Sequence, residues 1–237
     1  MSSPQFVPIA LSACAVSLSC LVAAPSWAEP PMNVDDAGTL DQGGMKVEGA
    51  WRKDDQTRGP ELVFGFSPLE NLEVGISLMR DRDHSASPAT RLNAVGLGFK
   101  WVPIQNDTGW SLGATLDFGN TRVTDYVTPD RYTDRETSLN ALATWRAETG
   151  HTPHLNLGAT RGTSQGQTDT LGNWGAGYEY PLAEQLKLTL EVFGAERGRP
   201  DKAIGLRYEI VEGLKISGAL GRGNDRSFAQ VGFAWEF

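Results

Sequence analysis

Trp110-Ser111-Leu112-Gly113-Ala114-Thr115-Leu116-Asp117-Phe118-Gly119 decides the fold. Trp110, Leu112, Ala114, Leu116 and Phe118 occupy one set of alternate positions, and Ser111, Gly113, Thr115, Asp117 and Gly119 the other. Period two belongs to the β-strand, whose successive side chains point to opposite faces. The pattern recurs at about 43–52, 60–67, 72–80, 90–101, 137–147, 154–163, 170–180, 186–195, 203–210, 214–220 and 228–237. With 109–120 this predicts twelve strands, ten being the smaller alternative. No helix-period stripe accompanies them, and after Ala28 no apolar run reaches the roughly 18 residues of a membrane helix.

The segments between strands alternate in character. Pro68-Leu69-Glu70-Asn71, the stretches 102–109 and 148–153, Pro181 to Gln185 and Val211-Glu212-Gly213 read as tight turns rich in Pro, Gly, Asn and Asp. Stretches 81–89 and 121–136 read as longer charged loops, so one end carries turns and the other loops. Loop 121–136, with Asp125, Asp130, Asp134 and Glu136 among Arg122, Arg131 and Arg135, reads as a solvated tip; an inward constriction or a cation site are its alternatives.

One strand face is large, apolar and almost free of charge: Leu72, Val74, Ile76 and Leu78; Val95, Leu97, Phe99 and Trp101; Leu188, Leu190 and Val192; Ile204, Leu206, Tyr208 and Ile210; Val231, Phe233, Trp235 and Phe237. Opposite it stand small residues and Lys46, Glu48, Glu73, Lys100, Asp117, Arg146, Glu179, Lys187, Glu191, Arg207, Glu209, Lys215 and Glu236. Periodicity alone leaves open which face is inside. Aromatic placement breaks the tie. Trp101, Trp110, Trp145, Tyr178, Tyr180, Trp235 and Phe237 all gather near the turn end, as amphipathic rings do at a membrane interface. An even strand count with no helical span then predicts an all-β, closed antiparallel transmembrane β-barrel, which leaves no backbone edge in lipid. The charged set becomes lumen-lining, and the aromatics become membrane-interface residues.

Residues 1–28 carry no Asp, Glu, Lys or Arg, and an apolar stretch runs through Leu11, Val16, Leu18, Leu21 and Val22 to Pro25 and the small-residue site Ser26-Trp27-Ala28. This reads as a secretory signal peptide. A retained anchor and acylation at Cys14 are the alternatives. Cys14 and Cys20 are the only cysteines, so the rest of the chain offers no disulfide or thiol chemistry. Residues 29–42 read as a short periplasmic N-terminal segment and 43–237 as the barrel. With 21 Lys plus Arg against 29 Asp plus Glu among 237 residues, a net charge of -8 argues against a nucleic-acid partner.

The final strand, with Ala229, Val231, Phe233, Trp235 and terminal Phe237 on alternate positions, resembles the closing strand by which the barrel-assembly machinery recognises bacterial outer-membrane proteins. Val34-Asp35-Asp36-Ala37-Gly38-Thr39-Leu40 with Gly44 and Glu48 resembles the start of barrels in the phenol meta-degradation outer-membrane family. So do Leu182 to Gly198, with Glu191-Val192-Phe193-Gly194, and Gly205-Leu206-Arg207-Tyr208. Members of that family are described as transporters. The resemblance, over 34–237, implies a bacterial outer-membrane location, contact with outer-membrane lipid and a small-molecule permeant, with no catalytic residue to carry over.

The lumen set holds six basic and seven acidic residues. A ring of one sign would imply ion selectivity, whereas mixed signs suit either a pore with opposed patches or an ion-paired, filled interior. Gly75, Gly96, Gly98, Gly113, Gly175, Gly177, Gly205 and Gly232 on the same face suggest free volume and a narrow pore; strand curvature is the alternative. The expected function is a passive channel for small or moderately hydrophobic solutes, with no cofactor and no enzymatic activity. Two alternatives remain. One is a structural barrel with a closed lumen. The other is a lipid hydrolase using His84, although the neighbouring Ser85 and Ser87 do not stand at the His and Ser offset of outer-membrane phospholipases. His151 and His154, without a nearby carboxylate or Cys, do not make a metal site.

Overall fold

A computed structural model describes residues 28–127, 131–223 and 226–237. Twelve strands follow one another: β1 (Met45–Asp54), β2 (Thr57–Leu69), β3 (Leu72–Asp83), β4 (Thr90–Ile104), β5 (Gly109–Thr124), β6 (Arg131–Arg146), β7 (Thr152–Ser164), β8 (Gln167–Ala183), β9 (Leu186–Ala195), β10 (Asp201–Val211), β11 (Leu214–Gly223) and β12 (Arg226–Glu236). Each pairs antiparallel with its sequence neighbours, and β1 pairs with β12 to close the barrel. The closing seam runs from Lys46↔Glu236 through Trp51↔Val231 to Asp54↔Phe228. Closure removes the free edges that an open sheet would expose. Among the described residues there is no helix.

The usual distribution of side chains is inverted. Leu157 is 69% exposed and Val231 59%, whereas Glu48 is 2% and Lys46 6% exposed. Leu190, Ile204 and Phe233, which a soluble sandwich would bury, all point outward. The apolar face thus forms the barrel's exterior and the charged face its interior, the architecture of a transmembrane barrel. The buried apolar cluster is small: Ala37, Val102 and Leu142.

Tight connections fill the end where β1 begins and β12 finishes. Asn71 takes a φ of 61° between β2 and β3, and Gly213 a φ of 77° between β10 and β11, both in the left-handed region that short turns need. At the opposite end the sequence reading is corrected. Stretch 121–136 is largely strand, because β5 reaches Thr124 and β6 starts at Arg131, with Thr124↔Arg131 paired across the hairpin; of 81–89 only the residues up to Asp83 extend β3, and 84–89 form the loop to β4. Charge marked these positions as loop, yet it alternates in and out like any other strand residue. Asp130 lies outside the described residues, as do Cys14, Cys20 and nearly all of the expected signal peptide.

Residues 29–42, read from the sequence as a short periplasmic segment, run through the barrel's lumen and bond to its inner wall before β1 begins. The physical reason lies in their acids and backbone amides, which meet lumen cations and polar side chains.

Candidate functional site

The inner wall carries ions in three groups at the end near the termini. On β1 and β3, Lys46 Nζ lies 3.0 Å from Glu48 and 2.8 Å from Glu73. On β8, β9 and β10, Glu179 accepts from Arg207 Nη1 at 2.5 Å and Lys187 Nζ at 2.7 Å. On β11 and β12, Lys215 donates to Glu236 at 3.0 Å. Toward the other end Arg52 pairs with buried Glu61 at 2.7 Å, and Arg226 bridges Asp54 and Asp201 at 3.2 and 2.8 Å.

The segment 28–44 threads between these groups around the wall. Glu29 reaches Lys215 at 3.1 Å, and the carbonyl of Pro30 accepts from Arg207 Nε at 3.0 Å. Glu191 accepts from the amides of Asn33 and Val34 at 2.7 and 3.0 Å, and Asn156 brackets Asp35 by accepting from its amide and donating to its carbonyl. Asp35 and Asp36 take Lys100 Nζ at 2.7 and 3.3 Å, and Asp36 takes Arg146 at 2.9 Å. Ala37 donates its amide to Thr144 Oγ1 at 2.8 Å, and the Leu40 amide reaches Glu73 at 3.4 Å. The path crosses from β11 to β3, so one extended segment is tied to most of the circumference. Among the described residues, the ion-pair partners of Lys100 and Arg146 come from this segment alone.

Removing ions from water is expensive unless each finds a close partner, and two adjacent carboxylates sharpen the problem. Burial raises the Asp35 carboxyl above its ordinary range, with Lys100 offsetting part of the effect. Asp36 is less buried, its side chain 40% exposed, and the pull of Lys100, with His154 and Arg146 adding to it, outweighs the desolvation, so its carboxyl sits well below the usual range. Lys100 is thus shared by both carboxylates, and Arg146 is added on the Asp36 side.

The segment partitions the lumen. Met32, Val34 and Asp36 face a cavity of about 930 Å³ at the end near the termini. Asn33 and Asp35 face a second cavity of about 280 Å³ together with Asp117, Glu136, Asn140 and Asn156, and Val34 borders both cavities. Of the thirteen lumen candidates, eleven line the larger cavity: Lys46, Glu48, Glu73, Lys100, Arg146, Glu179, Lys187, Arg207, Glu209, Lys215 and Glu236. Asp117 lines the smaller one, and Glu191 is taken up by Asn33 and Val34.

Inward glycines have a role other than free volume. A Cβ on Gly177 would stand 2.6 Å from Met32 Cε and 3.2 Å from Val34 Cβ, and one on Gly232 would stand 2.9 Å from Pro30 Cβ. At these two positions the space the glycine leaves is occupied by the segment's own side chains. The sequence reading also missed Glu29, Asn33, Asp35 and Asp36 as lumen residues. The one local signal for them is the acidic pair Asp35-Asp36 ahead of the first strand, which carries no strand or helix period.

The seven aromatics lie at one rim. Trp110 and Trp145 pair across β5 and β6 with their rings 5.3 Å apart, and Trp235 lies 4.9 Å from Phe237. Trp101 and Tyr180 are exposed nearby, and half-buried Tyr178 shares its hydroxyl with His151 Nδ1 at 2.7 Å. His154 instead faces inward, 3.0 Å from Thr144, so the two histidines do not converge. At His84, the neighbouring Ser85 hydroxyl bonds to Asp83 rather than to the imidazole.

Comparison with solved structures matches the barrel as a whole. The KdgM porin in complex with disordered oligogalacturonate gives a TM-score of 0.63 at 9% identity, covering 81% of this chain and 99% of that one. The COG4313 outer membrane channel from Pseudomonas putida F1 gives 0.62 at 11% identity, covering 85% and 98%. The translocator domain of the autotransporter NalP from Neisseria meningitidis gives 0.58 at 14% identity, covering 85% and 91%. At such identities the likeness establishes the fold, that of bacterial outer-membrane barrels. No curated protein matches the sequence. A family model does match, over residues 17–234, and the chain belongs to the family described as uncharacterised conserved protein UCP029691.

Proposed function

We propose that this protein is a passive channel of the bacterial outer membrane for small solutes, with residues 28–44 forming its internal constriction. The observation that carries the reading is the partition itself: one extended segment separates two cavities of about 930 and 280 Å³ inside a closed barrel. The outward apolar belt would face lipid, and the aromatic rim would lie at one interface. Residues 1–28 would act as the export signal and the strand ending at Phe237 as the assembly signal. Porins and channels among the similar folds support the same reading, as does the resemblance to the phenol meta-degradation barrels.

Cations and carboxylates alternate around the larger cavity, so a permeant with its own separated charges or several hydroxyls is best matched there. Moderately hydrophobic solutes find few apolar partners in it beyond Met32, Val34 and Leu40. A closed structural barrel is the second reading, favoured by the ion pairs that bind Asp35 and Asp36 to the wall. Swelling of liposomes that contain the full chain separates the two. A channel admits small amino acids and sugars at rates that fall with solute size, whereas a closed barrel admits none. Equal entry of large and small solutes would contradict a constriction.

A further inference from the structure

Every charged residue on the outward face of the twelve strands is basic; Asp and Glu occupy none of those positions. The bases gather at the end opposite the termini, just beyond the apolar positions Leu62, Leu78 and Val95. In one cross-strand row Arg58 faces Arg82, Arg82 faces Arg91, and Arg91 faces Thr124, which faces Arg131. In the next row Arg80 and Arg122 flank Asn93. All six arginines are exposed and, among the described residues, none forms an ion pair. Like charges directly opposed across a sheet repel, and the neighbouring acids Asp81 and Asp83 sit on the lumen side of β3, where they offer no relief. Arg91 lies over the Tyr126 ring at 5.8 Å, and the row as a whole remains open to anions supplied from outside.

The surface there has the shape of an amphiphile. Arg80, Arg82, Arg91 and Asn93 enclose a cavity of about 210 Å³, and Arg91, Asn93, Arg122 and Arg131 line another of about 550 Å³. Arg80 and Asn93 also border an apolar groove of about 910 Å³ that runs down the exterior past Leu62, Leu78 and Val95. Guanidinium groups bind phosphate oxygens through paired N–H donors. A free phosphate would use the basic cavities alone; a lipid would use the groove as well.

We propose that this face binds lipids whose phosphate headgroup carries a net negative charge, headgroup against Arg82, Arg91 and Arg122 and acyl chain in the groove below. The proposal rests on the membrane placement proposed above. It is tested by native mass spectrometry of the full chain in neutral detergent, with bisphosphorylated lipid A and zwitterionic phosphatidylcholine as probes. The wild type should retain lipid A and shed phosphatidylcholine, and R82Q/R91Q/R122Q should bind lipid A roughly 100-fold more weakly. R82K/R91K/R122K, which keeps the charge but loses the paired donors, should bind lipid A more weakly than the wild type and more tightly than the Gln variant; binding no tighter than that of the Gln variant overturns the charge-based reading. Equal retention of lipid A by wild type and the Gln variant overturns the proposal. So does complete displacement by inorganic phosphate at equimolar concentration, which would show that the acyl groove contributes nothing. Because lipid retention is read without any current or solute flux, a barrel that conducts but ignores lipid A overturns this inference alone. One that holds lipid A yet passes no solute overturns the channel reading alone.

Discussion

Lys100 on β4 donates to Asp35 at 2.7 Å, joining the wall of the barrel to a residue ten positions before its first strand. The lysine is 6% exposed and the aspartate 7%, so the bond is shielded from bulk water and weakly screened by salt. Together with Arg146 and Asp36 it sets where the segment sits, and hence how the lumen is divided.

Removing the cation from this buried cluster leaves two carboxylates without their shared partner, a change that costs about 3 kcal/mol or more. In K100Q, the backbone amides of Asn33, Val34, Asp35 and Ala37 should exchange with deuterium roughly 100-fold faster than in the wild type. Strand amides should be unaffected. Unchanged exchange at those four amides would mean the ion pairs do not hold the segment.

Steric displacement should have the same effect without touching a charge. In G177V the added side chain meets Met32 and Val34, and the overpacking costs about 1–3 kcal/mol. Limited proteolysis of the detergent-folded variant should then cut within 29–44, where the wild type resists. Resistance equal to that of the wild type would place the segment elsewhere in solution.

The outward direction of the apolar belt has its own test. Leu97 lies in the middle of β4 and Ile104 at its end by the termini. Reversible unfolding from lipid vesicles should show L97R destabilised by about 2–4 kcal/mol and I104R by at most about 1 kcal/mol, because the cost of a charge falls from bilayer centre to interface. A ranking in the opposite order would mean that this strand does not span as described.

Much of this was legible in the sequence. Trp110 to Gly119 displays both faces of a strand at once, and eleven further segments repeat the pattern closely enough to place every hairpin. Trp101, Trp110, Trp145 and Trp235 pointed to one rim. The ends of β5 and β6 were obscured by chemistry: Arg131, Thr133 and Arg135 alternate outward against Tyr132, Asp134 and Glu136, but a run so rich in charge reads as loop. The lumen segment was hidden for a different reason. Its contacts lie more than a hundred residues away, at Asn156, Glu191 and Arg207, and no local period announces them. The wall charges also looked balanced by themselves, and only their geometry shows that Lys100 and Arg146 depend on Asp35 and Asp36.

The central claim, that solute passes through the lumen under the control of residues 28–44, is tested most directly by single-channel recording of the A37C/L142C variant in planar bilayers. Ala37 and Leu142 share the small buried cluster, and outside residues 1–28 the chain contains no other cysteine. With the disulfide formed, the account predicts a small, steady conductance. Reduction should release the segment and produce larger, fluctuating openings, while the wild type stays insensitive to reductant. No current in either state, or identical currents in both, would contradict it.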